Sequence, residues 1–165
     1  MSKLLQKDQT LHSVDNLTDS KKHITHILKL GKQEVSLFSR NLNPQLFNNQ
    51  NIIDYISLIA RQSHLVDIRI LIEDPQAIID SNHQLLKLIQ RLPSKIKIQR
   101  ILIKPPESFE FMIVDNNKLW LQHQYTAYNG IIYYNSPSNA KKHKEIFNTL
   151  WKQSEECTKL RRLLL

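Results

Sequence analysis

The chain has 165 residues and a formal net charge of +8, with 41% hydrophobic and 23% charged residues. That is the length and balance of one folded domain rather than a disordered segment, and no apolar stretch approaches the roughly 20 residues that span a bilayer. A lone cysteine, Cys157, excludes an intrachain disulfide and a cysteine-based zinc site. Its plain reading is a reduced thiol on a helix of a cytoplasmic protein.

Residues 1–16 carry Lys3, Lys7, Asp8 and Asp15 without a continuous apolar segment, the pattern of a mobile polar arm and not of a secretory signal. Residues 17–165 read as a single domain. Its first helix is expected from the N-cap Ser20 to the stop at Gly31, with Ile24, Ile27 and Leu28 on one face. Glu34 to Ser39 reads as a strand, Asn41 to Pro44 as a turn, and Asn51 to Gln62 as a second helix. The run Val66 to Glu73 is nearly continuous in Val, Ile and Leu, as a strand covered on both faces would be. Asp74-Pro75 opens the next helix, which breaks near Asp80-Ser81-Asn82 and stops at Pro93.

Lys95 to Ile103 is a further strand by alternation. Phe109 to Val114 and Lys118 to Gln122 form a hairpin around Asp115-Asn116-Asn117, and Ile131 to Tyr134 makes the last strand. Asn135 to Ser138 caps a long helix bearing Ala140, His143, Phe147, Leu150 and Trp151. Strands alternating with helices predict an α/β fold, a mixed central sheet with helices on both faces. The only glycines, Gly31 and Gly130, are too few for a Walker loop or a dinucleotide fingerprint. ATPase, GTPase and nicotinamide-enzyme readings are closed, and the sequence calls for no cofactor and no metal.

The segment Ser108-Phe-Glu-Phe-Met-Ile-Val-Asp115, followed by Asn-Asn-Lys-Leu-Trp-Leu, resembles the core strand of phospholipase D-type domains. In that superfamily the strand reads His-x-Lys, four residues, then Asp; the His is the nucleophile and the Lys neutralises phosphate charge. Alternation along a strand points the first two side chains to one face. Here Ser108 stands in the His position and Glu110 in the Lys position; only Asp115 matches. A serine without a base is a weak nucleophile, and a glutamate repels the charge the lysine would stabilise. The order of Val66 to Ile72 with Asp74, of His83-Gln-Leu-Leu with Arg91 to Ile96, and of Phe147, Trp151 and Ser154 with Leu160 to Leu163 is similar to one degenerate bacterial branch of this class. That branch occurs alone or fused behind GNAT-type acetyltransferase domains. The resemblance implies a phospholipase D-like half-domain without the original chemistry.

The candidate catalytic positions are therefore Ser108, Glu110, Asp115 and His123, the last as a spatial substitute for the missing nucleophile. Candidate anion-binding residues are Arg69, set in the most apolar strand, with His83, Lys95, Lys97, Arg100, Lys141, Lys142 and Lys144. A charge such as Arg69 needs a partner, and Asp67, Glu110 or Asp115 could supply it; an ion pair pinning two strands is the plainer reading. His83 and His123 read more plainly as hydrogen-bonded packing residues, and His23 with His26, three apart, as a solvated helix face rather than a metal site. Tyr125, Tyr128, Tyr133 and Tyr134 either stack bases or fill a strand and its loop. The basic charge favours an anionic partner, nucleic acid first and another phosphate-bearing ligand second. Two other readings stay open: a protein-interaction module linked to acetyltransferases, and a divergent phosphodiesterase using Glu110, Asp115 and His123. A lone half-domain of this class is compatible with a homodimer.

Overall fold

The computed structural model describes residues 11–106, 108–123 and 127–162, the last two by their backbone alone. The polar arm's first ten residues, and Tyr125, lie outside the described residues. Along the chain run β1 (Leu11–Val14), α1 (Leu17–Lys29), β2 (Glu34–Phe38), α2 (Pro44–Phe47), α3 (Gln50–Ala60) and β3 (Asp67–Ile72). Then come α4 (Pro75–Asp80), α5 (Gln84–Arg91), β4 (Ile96–Ile101), β5 (Glu110–Val114), β6 (Lys118–Gln122) and β7 (Gly130–Tyr133). The chain closes on α6 (Pro137–Lys152), β8 (Ser154–Glu156) and α7 (Thr158–Arg162).

The eight strands form one mixed sheet in the order β1-β7-β6-β5-β2-β3-β4-β8. The central β2, β3 and β4 are parallel, joined by helical crossovers, while β5, β6, β7 and β1 run as an antiparallel series. One face packs its apolar side chains against α1, α3 and α5, around Ile27, Ile56, Leu88, Met112 and Trp120. The other packs Phe38, Leu71, Ile101, Phe111 and Ile113 under the α6 residues Ala140 and Phe147. The expected α/β sheet with helices on both faces is the observed fold.

Local chemistry sets the boundaries. The N-cap of α1 lies four residues earlier than Ser20, because Asn16 accepts from the Asp19 N–H at 2.9 Å and is the true cap; Ser20 is buried inside the helix. α4 and α5 are separated where expected, at Asn82, which takes a left-handed φ of 50°. Asn41 to Pro44 leads into a short extra helix, α2, with Asn43 as its cap. The hairpin turn places both Asp115 (φ 55°) and Asn116 (φ 59°) in the left-handed region, which their short polar side chains tolerate. At Gly130 any Cβ would stand 2.1 Å from the Leu121 carbonyl oxygen, so the β6–β7 pair admits only glycine there.

Two strands escape the sequence reading. β1 lies inside the stretch read as an arm, and its Leu11 to Val14 pair with Tyr133 to Gly130. β8 pairs Ser154 to Glu156 with Ile101 to Gln99. Both are short edge strands: β1 sends only Val14 into the core, and β8 is polar and largely exposed, so neither imprints an apolar period. Cys157 follows β8 and precedes α7 rather than riding on a helix; it is buried, and burial pushes its thiol up to about 11.

Candidate functional site

Ser108 and Glu110 lie at the end of β5 where β2 and β3 also finish. Glu110 faces the helix-rich side with Met112 and Trp120, opposite Gln122 in register. Only 2% exposed, its carboxylate accepts the Arg40 backbone N–H at 2.8 Å. Arg40 is fixed from every side. Its carbonyl accepts the N–H groups of Glu73 at 2.8 Å and Asp74 at 2.9 Å, and its guanidinium bonds Glu73 at 2.6 Å. Lys104 approaches the same Glu73 at 3.4 Å. Burial raises the Glu110 carboxyl from 4.5 to about 7, against the pull of Arg40 in the other direction. Glu110 is thus a clamp between the ends of β2 and β5. Beside it Gln122 is buried, and neither of its side-chain polar atoms is hydrogen-bonded among the described residues.

Asp115 is at the other end of β5, about 16 Å away at some 3.3 Å per residue. Its two oxygens accept three backbone N–H groups at the start of β2: Lys32 and Gln33 at 2.8 Å and Glu34 at 3.0 Å. This ties the β5–β6 turn to the approach of β2. Asp115→Asn keeps a residue tolerant of the turn's φ while removing the charge from these bonds. We expect it to lower stability by about 1–2 kcal/mol in urea titration, with unchanged far-ultraviolet circular dichroism.

Ser108 and His123 are exposed at the Glu110 end of the sheet. The divergent phosphodiesterase arrangement needs Glu110, Asp115 and His123 in one cleft, and the sheet holds the two carboxylates at opposite ends. His83 is buried: Nε2 bonds the Leu42 carbonyl at 3.1 Å, and Nδ1 accepts the Leu85 N–H at 3.2 Å, capping α5. His23 and His26 are not simply solvated. Both turn Nδ1 to the Tyr134 hydroxyl, at 2.6 and 3.2 Å, and His12 stacks on His23. No group of three or more His, Cys, Asp or Glu able to hold a metal occurs among the described residues.

The candidate cations divide. Lys95 donates to the Ser63 carbonyl at 2.7 Å, Arg100 pairs with Glu155 of β8, and Lys141 and Lys142 are exposed on α6. Arg69, Lys97 and Lys144 come together. Ser36, Arg69 and Lys97 are register neighbours across β2, β3 and β4, on the face covered by α6. Lys144 reaches down from α6 to donate to Ser36 Oγ at 2.8 Å. Arg69 Nε lies 3.2 Å from Asp67, and its guanidinium is 5.4 Å from the ring centres of both Phe147 and Trp151. Its carboxylate partner is two residues away on the same strand, so the pair does not pin two strands together. Burial, then the nearby Arg69 charge, push the Lys144 ammonium below its ordinary value. Sequence reasoning missed Arg40, Glu73, Gln122 and Ser36; polar residues at the end of a buried strand were their only signal.

The same fold occurs in several solved structures. The fold is similar to that of TrmBL2, an archaeal chromatin protein, with a TM-score of 0.67 and 14% identity over 90% of this chain. It is similar to Nuc from Salmonella typhimurium, a phospholipase D family member, at 0.64 and 15%, and to NucT from Helicobacter pylori at 0.61 and 12%. Each likeness to these two covers 89% of this chain, and 98% and 99% of Nuc and NucT, whereas the chain matches 54% of TrmBL2. The class is therefore the phospholipase D-like α/β fold. Within it, residues 16–163 match the family described as Domain of unknown function (DUF7931), and the chain belongs to that family. No curated protein matches the sequence. No helix among the described residues is long and apolar enough to cross a membrane.

Proposed function

We propose that the protein is a non-catalytic phospholipase D-like module that binds nucleic acid through its basic surface. The observation that carries this reading is the net charge of +8 on a fold shared with TrmBL2, whose structure is described as showing a novel mode of DNA binding. The absence of catalysis is supported by Glu110. It occupies the resemblance's lysine position, and its carboxylate is committed to the Arg40 backbone instead of facing a phosphate.

The test is filter binding of labelled duplex DNA, single-stranded DNA and RNA across a salt series. We expect retention at low salt and a linear fall of log affinity with log salt, about 0.9 per phosphate contacted on duplex DNA. No retention of any of the three at low salt overturns the proposal. A generic phosphodiester substrate should stay intact in the same buffer; hydrolysis lost in His123→Ala would establish an enzyme instead.

A further inference from the structure

We propose that Arg69, Lys97 and Lys144 form a phosphate-binding site along the flank of α6 that holds the backbone of the bound nucleic acid. This rests on the nucleic-acid reading above and names the surface that performs it.

β3 reads Asp-Ile-Arg-Ile-Leu-Ile, and a guanidinium in that setting is normally matched by carboxylates that use its N–H groups. Asp67 approaches Nε alone. The terminal nitrogens of Arg69 make no hydrogen bond among the described residues, and the side chain retains 18% exposure. Phe147 and Trp151, stacked on each other at 5.8 Å, both bring their ring centres to 5.4 Å from the guanidinium carbon, within cation–π range. A planar fork beside two aromatic rings, with its terminal nitrogens lacking acceptors among the described residues, is suited to two phosphate oxygens.

Its neighbours have the same sign. Lys97, next in register on β4, is exposed and makes no ion pair or hydrogen bond among the described residues. Lys144 spends one proton on Ser36, and its nearest carboxylate, Glu34, is 3.9 Å away. Glu34 is itself held by Asn116 at 2.5 Å. Arg69 and Lys144 thus repel each other, with Asp67 and Glu34 the carboxylates that act on them among the described residues. An arriving phosphate would relieve the repulsion between Arg69 and Lys144 and supply the missing acceptors. The spacing of strands, about 4.8 Å, sets Arg69 and Lys97 near enough to share one phosphate or grip adjacent ones.

Lys97→Glu and Lys87→Glu make the same charge change at exposed positions, one in the site and one on α5 across the sheet. With a fluorescein-labelled DNA duplex and a single strand read by anisotropy, we expect Lys97→Glu to weaken binding about tenfold or more and flatten the salt slope by about one. Lys87→Glu should change affinity less than about threefold. Arg69→Gln, checked for an unchanged melting transition, should match Lys97→Glu. Equal losses in Lys97→Glu and Lys87→Glu, with binding by the parent protein intact, would overturn this site while leaving nucleic-acid binding in place. No binding by the parent protein would overturn both.

Discussion

Replacing Glu110 with glutamine is expected to stabilise the protein by up to about 3 kcal/mol at pH 8 and to have little effect below pH 4.5. The folded carboxyl titrates near 7 rather than 4.5, because burial disfavours its charge. Below pH 4.5 both folded and unfolded chains hold the proton, and the group contributes nothing. Between 4.5 and about 7 the unfolded chain ionises first, so stability falls as pH rises. Above 7 both are ionised and the whole penalty stands. Glutamine can still accept the Arg40 N–H through its side-chain oxygen, so the clamp survives without the charge. Urea denaturation at several pH values measures the effect. A variant less stable than its parent at pH 8 would show that the ionised carboxylate is a net stabiliser.

His83 has the opposite sign. Burial lowers its imidazole from 6.5 to about 4, so the unfolded chain takes up a proton that the folded one refuses. Its contribution is fully present above pH 6.5 and is lost as pH falls toward 4, by about 3 kcal/mol. His83→Ala removes the α5 cap and the bond to Leu42, and leaves a cavity where the ring was, at a cost of about 3 kcal/mol at pH 7. That difference should close almost completely near pH 4. Because Glu110 gains stability over nearly the pH range in which His83 loses it, the parent protein should show a shallow profile. Each single substitution should expose the slope of the other residue. A His83→Ala deficit that stays constant from pH 7 to pH 4 would reject the assignment.

The sequence reveals the elements whose burial is two-sided or periodic: the apolar run of β3, the β5–β6 hairpin and the face of α6 carrying Ala140 and Phe147. It is silent on β1 and β8, short edge strands in which most side chains meet water and only Val14 of β1 enters the core. The same division holds at the site. Arg69 stands out as a charge within an aliphatic strand, but its closeness to Lys97 and Lys144 depends on strand register and helix placement, which join residues far apart in the chain. Glu110 and Asp115 appear together in one short motif, yet one strand length separates their surroundings. Asp115 is legible as a turn residue. The clamp on Glu110 is not, since its partner is the backbone of Arg40, and any residue but proline can offer an N–H there.

The family likeness begins at residue 16, whereas the sheet begins at Leu11. The family match and the sheet therefore have different borders. Trimmed to the family limit, the chain would lose the four-residue strand that covers β7 and the imidazole that stacks on His23. Ile131 and Tyr133 would then lie on an open rim, with backbone groups free to recruit a foreign strand. The short first strand acts as a selvedge: it moves the rim of the sheet from β7 onto four residues, a smaller template for another molecule.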